Sequence, residues 1–382
     1  MKELGARINL IVCQKSKIQD WYEHVQMYYT KNCVYDLTNK TQLEFFMSQV
    51  DFEVPNLMIG VINYDLIFRR PELAKLKDFT LVLDESSLVQ NENSKRSRFI
   101  LRRLKPQNVI LLSGTPTGGK YEKLWSQCRL LGWDISKTAY WDTYIKYHFD
   151  DRNGFPFRVV DGYKNVDRLK RKLREYGAVF MKSDEVFDLP EQIDSNINVA
   201  VTKEYRKFHK DSILKYDDIE FIGDTTLSKM LFERMLCGYA NDEKLKALRD
   251  LLESTDDRVI IFYNFNSELD KLQEICSDRP VSIINGNTKD LSAYEKSENS
   301  VTLIQYQAGA MGLNLQKANK IVYFTPPLSS ELFEQSKKRI HRIGQEKPCF
   351  YYYMICRNSI EEKIYRTLAM RRDYTERLFE EE

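Results

Sequence analysis

Short runs of β-branched and aromatic residues, each broken by a polar turn and followed by a stretch of helical periodicity, constrain this chain more than any other feature. In the first half they stand at residues 10 to 13, 81 to 83 and 109 to 112; in the second, at 259 to 263, 281 to 284, 301 to 304 and 321 to 324. Strands alternating with helices form a parallel sheet covered on both faces. Two such series in 382 residues, more than one core usually holds, predict two α/β lobes. Carboxyl edges of parallel sheets are where ligands bind, so the residues just beyond each run are the first candidates for a site.

Composition narrows the class. The chain is 42% hydrophobic and 30% charged, with 15 Gly and 10 Pro, the balance of a folded globular protein. No window approaches 18 uninterrupted apolar residues, so no membrane partner is expected, and MKELGARINL lacks the apolar core of a secretion signal. Seven cysteines form no C-x-x-C pair, which indicates neither a zinc site nor a disulfide framework and points to a reducing cytoplasm. A net charge of +2 does not advertise nucleic acid globally, so any such contact must be local. Residues 95 to 105 carry six basic and no acidic side chains, and 167 to 182 six basic against two acidic. Each is a DNA-facing surface or an ordinary solvated helix face.

Three segments carry chemistry. FTLVLDESS (79 to 87) is an apolar strand that ends in Asp84 and Glu85, either an ordinary strand-to-turn transition or a metal-holding acid followed by a water-orienting one. NVILLSGTPTGGKYEKLW (108 to 125) reads as strand, small-residue turn and helix. Within it Gly114 to Lys120 spells G-x-x-x-x-G-K, but Tyr121 stands where a phosphate loop needs Ser or Thr, and Pro116 removes an amide donor. The turn is therefore read as a coupling loop; a P-loop kinase using Lys120 is the rival. In ELFEQSKKRIHRIGQ (331 to 345), Gln335, Arg339 and Arg342 recur at i, i+4 and i+7. That spacing predicts one helix face carrying two guanidinium forks, with Ile340 and Ile343 on the buried side; a plain surface helix is the alternative.

Together these segments resemble motifs II, III and VI of the superfamily 2 helicase-like ATPases, specifically the Swi/Snf-type DNA translocases. DESS stands for the DEAH-like box, LLSGTPTGGKYEKLW for the LTGTP-to-LW stretch, and QSKKRIHRIGQ is similar to QAxxRxHRIGQ. LIVCQKSKIQDW (10 to 21) resembles motif Ia, GVINYDLI (60 to 67) motif Ib, and VIIFYNFNSELDKL (259 to 272) motif IV; INGNT (284 to 288) and QAGAMGLNL (307 to 315) follow in the family's order. Residues 141 to 192 look like the insertion of annealing-helicase relatives, with Met181 in place of an expected arginine.

The resemblance implies two tandem RecA-like lobes: residues 1–135 as lobe 1, truncated at its N-terminus, a helical insertion and linker at 136–235, and lobe 2 at 236–382. It implies ATP and Mg²⁺ held between the lobes, with Asp84 on the metal through water and Glu85 positioning the attacking water. Arg339 and Arg342 serve as arginine fingers, with Gln335 and Gly312 on the nucleotide side. Ser113, Gly114 and Thr115 couple phosphate to DNA, while Lys15, Ser16, Tyr64 and Gly286 hold DNA phosphates without reading bases. The implied activity is movement along duplex or forked DNA, remodelling or annealing it. His341 is read as an orienting residue rather than an acid or base. Family members carry a GxGKT loop ahead of motif Ia, and only nine residues precede Leu10 here. A bacterial or phage setting is expected, with the loop encoded upstream or supplied by another polypeptide; a non-hydrolysing DNA-binding or complex-assembly protein is the alternative.

Overall fold

The computed structural model describes residues 1–29, 32–52, 57–114, 116–151, 156–181, 187–216, 219–309 and 312–376. The chain divides into two compact units, Met1–Phe180 and Met181–Asp373.

In the first unit five parallel strands, β1 (Ile8–Cys13), β2 (Asn32–Asp36), β3 (Leu57–Asn63), β4 (Phe79–Asp84) and β5 (Asn108–Leu112), lie in the order β2-β3-β1-β4-β5. Central β1 and β4 are apolar runs buried on both faces. On one face Leu10, Val12, Ile62 and Leu83 pack with Phe46, Ile67 and Ile100; on the other Ile11, Val61 and Val82 pack with Val25. Gly60 is required in β3, because a Cβ there would lie 2.5 Å from Leu37 Cδ1. Register aligns Cys13 with Asn63, Val12 with Leu83 and Asp84 with Leu112, so the chain leaves β1, β3, β4 and β5 along one edge. The basic stretch at 95 begins the helix Lys95–Arg102, capped by Ser94 and docked through Phe99 and Ile100.

Residues 136–235, expected as a helical insertion, are only partly helical, and the boundary between the compact units falls inside them. Helices Lys137–Tyr144 and Val166–Glu175 flank an antiparallel ribbon of β6 (Ile145–Asp150) and β7 (Phe157–Tyr163), rooted in a satellite core that includes Tyr121, Trp133, Tyr140, Tyr144 and Leu169.

The second unit begins its sheet with β8 (Gln192–Val199), drawn from that same stretch, and carries a small antiparallel pair, β9 (Ile213–Tyr216) and β10 (Ile219–Ile222). It continues with β11 (Val259–Tyr263), β12 (Val281–Ile284), β13 (Val301–Gln305), β14 (Lys320–Tyr323) and β15 (Cys349–Cys356). The parallel order is β12-β13-β11-β14-β15-β8. β8 escapes the strand pattern because it is an edge strand with alternate residues exposed. Beneath β15, Lys244 and Glu361 form an ion pair with both side chains fully buried, at 2.7 and 2.9 Å. No helix among the described residues is long and apolar enough to cross a membrane.

Candidate functional site

Asp84 is the last residue of β4, and the next step of the chain is strained. Glu85 adopts φ 56°, ψ 57°, a left-handed conformation that disfavours a residue with a Cβ by roughly 1–2 kcal/mol. Two side chains hold this turn. Trp21 donates its indole N–H to Asp84 Oδ2 at 2.9 Å, and Tyr64 donates its hydroxyl to the backbone carbonyls of Asp84 (2.9 Å) and Glu85 (3.4 Å). The Asp84 carboxylate, half-buried, thus has one oxygen fixed at a ligand-binding sheet edge. Tyr64 corrects an expectation: only 2% exposed and turned into the strand end, it braces the acids and is not presented to a DNA phosphate. Burial, then the charge of Asp84, pushes its phenol well above the usual range. The same two causes push the Cys13 thiol up to about 12, so Cys13 is an inert core residue.

The acidic turn is wired to the loop after β5. Ser86 Oγ donates to Gln127 Oε1 at 3.0 Å, while Gln127 Nε2 donates to the Pro116 carbonyl at 2.7 Å and Gln90 Nε2 to the same carbonyl at 3.2 Å. Ser113 is half-buried and Gly114 exposed beside this link; Thr115 lies outside the described residues. At the end of the Gly114 to Lys120 stretch two amides are spent internally: Gly119 N–H donates to Thr117 Oγ1 and Lys120 N–H to the Thr117 carbonyl, while Tyr163 donates to the Gly119 carbonyl. Amides already used internally cannot cradle a phosphate. Lys15 and Ser16 stand exposed in the short 3₁₀ turn after β1, on the same edge as Asp84.

In the second unit the arginine segment departs from expectation. The helix Ser330–Lys337 ends before either arginine, so Gln335, Arg339 and Arg342 do not share a helix face. Tyr351 donates to the Lys337 carbonyl at 3.1 Å, and the amides of Arg339 and Ile340 bond only three residues back, to Ser336 and Lys337. The last turn tightens and the chain leaves helical geometry. Ile340 is fully buried as expected, but Ile343 is 62% exposed.

Other contacts fix the segment in place. Leu315 N–H donates to the Arg339 carbonyl at 3.1 Å, and Arg342 donates to Asn314 Oδ1. Gln345, buried, donates to the carbonyls of Gln316 (3.1 Å), Ala318 (2.8 Å) and Ile340 (3.3 Å). Gly312 takes φ +70°, a left-handed turn two residues before Asn314. The arginine segment is therefore tied to the Asn314–Ala318 stretch that leads into β14, through the Arg339 carbonyl, the Arg342 guanidinium and Gln345. His341 bonds through Nε2 with the Pro190 carbonyl at 2.9 Å, an orienting contact. Gly286 sits apart, exposed in a turn whose amides at Asn287 and Thr288 are held by Asn285 Oδ1.

The carboxyl edge of this sheet is occupied by a polar knot that sequence reasoning missed. Glu268, fully buried, accepts from the amides of Asn264 (2.9 Å) and Phe265 (3.0 Å) and from Thr325 Oγ1 (3.1 Å). Burial outweighs these bonds and pushes its carboxyl up to about 7. Trp21, Gln127, Asn314 and Gln345 were also missed. Each acts on a residue far away in sequence; the repeated Gln of HRIGQ was the one available signal.

Each unit is thus a parallel α/β sheet, one with an acid pair at the end of a central strand and the other with an arginine segment beyond its sheet. The SNF2-related domain matches residues 3–249, and the helicase conserved C-terminal domain residues 243–344. The chain belongs to the SNF2-related, superfamily 2 helicase-like ATPases. It is 26% identical over 347 residues to the mouse SWI/SNF-related matrix-associated actin-dependent regulator of chromatin subfamily A member 1, covering 80% of this chain and 32% of that protein. It is 25% identical over 399 residues to the Saccharomyces cerevisiae ISWI chromatin-remodeling complex ATPase ISW1, covering 93% and 34% respectively. The chain thus spans about a third of the length of these relatives. The solved Sulfolobus solfataricus SWI2/SNF2 ATPase core in complex with dsDNA aligns over 99% of this chain and 83% of its own, at 19% identity and a TM-score of 0.41.

Proposed function

We propose that this chain is the motor core of an ATP-driven DNA translocase that remodels or anneals duplex or forked DNA without reading its sequence. The observation that carries the reading is the turn at Asp84 and Glu85: strained, pinned by Trp21 and Tyr64, and linked through Gln127 to the loop after β5. Such strain beside a fixed carboxylate is characteristic of sites that handle a substrate.

In this reading Asp84 holds the Mg²⁺ of the substrate Mg·ATP through water, and Glu85 orients the attacking water and takes its proton. Arg339 and Arg342 neutralise charge developing on the γ-phosphate, a role worth about 10³–10⁵ in rate. Gly312 lets backbone approach the nucleotide, and Gln335 contributes an amide on that side. Ser113, Gly114 and Thr115 pass the state of the phosphate to Lys15, Ser16 and Gly286, which hold DNA phosphates. The Ser86–Gln127–Pro116 bonds are the physical link for that transmission.

One observation favours a further component. These 382 residues contain no GxGKT sequence, and among the described residues β5 pairs with β4 alone, its apolar side chains half-covered and Leu112 40% exposed. An open apolar strand edge accepts another strand. The strand bearing the glycine-rich loop pairs along β5 in our proposal, whether it comes from the same polypeptide or another.

The test is DNA-stimulated phosphate release together with equilibrium binding of ATP, for the chain supplied with the strand that bears the glycine-rich loop and for Glu85→Gln in the same setting. Hydrolysis should fall by about 10²–10⁴ in the variant with nucleotide binding retained. Release that Glu85→Gln leaves unchanged would overturn the assignment of the acids; failure to bind either ATP or DNA would overturn the motor reading.

A further inference from the structure

The β6–β7 ribbon carries features that the motor reading does not use. Register pairs Phe149 with Arg158 and Asp150 with Phe157, so the two phenylalanines lie on opposite faces near the ribbon's tip. Phe149 is 62% exposed and Phe157 47%. Beneath Phe149 runs a ladder of rings. Tyr147 lies 5.7 Å from Phe149 and 5.6 Å from Trp141, and the Arg158 guanidinium spans all three at 4.7–5.9 Å. The ladder is stiffened by Tyr147 donating to Asp142, and the other face by the His148–Asp161 contact.

The root of the ribbon is equally rigid. Ile145 is fully buried, and Tyr163 stacks on Tyr121 with ring centroids 4.4 Å apart. Its hydroxyl reaches both the Gly119 carbonyl and Glu122, so the ribbon is bonded directly to the loop after β5. Two residues beyond β7, the helix Val166–Glu175 buries Leu169 and Leu173 and carries Arg168, Arg171, Lys172 and Arg174 against Asp167 and Glu175.

A rigid ribbon with an aromatic on each face, an arginine among the rings and a basic helix at its base is chemistry for unpaired nucleobases. Rings stack on any base face, while cations hold the backbone. An apolar protein partner would not require the arginine ladder or the basic helix. We propose that Phe149 and Phe157 form a stacking wedge for unpaired bases at a junction between single-stranded and duplex DNA. This deepens the DNA reading above and rests on it.

Fluorescence anisotropy with the full chain would compare a blunt duplex with the same duplex bearing unpaired arms, 2-aminopurine at the junction reporting stacking. The wild type should prefer the forked substrate and alter the 2-aminopurine signal. In Phe149→Ala/Phe157→Ala that preference should fall by about tenfold or more. Blunt-duplex affinity and thermal stability should hold, because both side chains are surface-exposed. Phe149→Tyr/Phe157→Tyr should retain the preference, and Phe149→Leu/Phe157→Leu should lose it. A wild type that binds DNA without fork preference, or Ala or Leu variants that keep it, would overturn the wedge while leaving the motor reading standing. Leu variants equal to wild type would instead indicate an apolar protein contact. Absence of binding to either DNA would overturn the DNA reading itself, and the wedge with it.

Discussion

Replacing Lys244 by Met tests how the second unit is held together. The Lys244 ammonium lies 2.7 and 2.9 Å from the two Glu361 oxygens, with neither side chain exposed, and Glu361 Oε2 also accepts the Cys356 amide at 2.9 Å. Methionine preserves the volume but leaves Glu361 as an unpaired buried charge, which costs about 3–5 kcal/mol. The folded chain can limit that loss by protonating the carboxyl. Doing so at pH 7.5, from a usual value of about 4.3, costs about 4.4 kcal/mol at 1.36 kcal/mol per unit, and at pH 5.5 only about 1.6. In the variant Glu361 has a folded pKa raised above its unfolded one, so its stability improves as pH falls and worsens as pH rises towards the new pKa. Urea unfolding at both pH values should show a variant-minus-wild-type loss about 2–3 kcal/mol smaller at pH 5.5. Adding Glu361→Gln to the variant keeps an acceptor for the Cys356 amide, removes the charge and should recover most of the loss at either pH. A loss independent of pH, or a double variant no better than the single one, would refute the account.

Glu268, with its carboxyl pushed up from 4.5 to about 7, should itself make wild-type stability pH-dependent. A raised folded pKa contributes stability present below about 4.5 and lost as pH rises through 7, so Glu268→Gln should flatten the stability profile over that window and stabilise the chain at pH 8. Gln345→Ala removes the donor to three carbonyls and should cost about 1–3 kcal/mol in denaturant unfolding, with phosphate release reduced as the Arg339–Arg342 segment loosens. Tyr64→Phe leaves the core filled but frees the carbonyls of Asp84 and Glu85. It should cost about 0.5–1.5 kcal/mol of stability and lower kcat without weakening DNA binding; a selective loss of DNA affinity would restore Tyr64 to the DNA side.

What could be read in the sequence was local. The strand runs stand where expected because buried parallel strands are nearly continuous apolar stretches, and Asp84 falls at a strand end because a charged residue terminates such a run. The misreadings share a different physics. The helix Ser330–Lys337 stops where the Lys337 carbonyl also accepts from Tyr351 on a later strand, a contact no local pattern reveals, and periodicity alone carried the pattern through to Arg342. Tyr64 was assigned by its neighbours in sequence, yet its role is set by carbonyls 20 and 21 residues away. Trp21 meets Asp84 across 63 residues, a separation at which no local pattern is visible. β8 was missed because only one of its faces is covered, which leaves QIDSNINV more polar than an inner strand.

β8 also has a bearing on how the protein is made. Asp194 on β8 meets Tyr353 on β15 across 159 residues, so the first strand of the second unit to leave a ribosome gains its neighbour last. At about 5–20 residues per second that is a wait of roughly ten to thirty seconds. Through that interval one half of a ladder stands open to mispairing, and the alternating polar residues of β8 act as gatekeepers that keep it dispersed until β15 emerges.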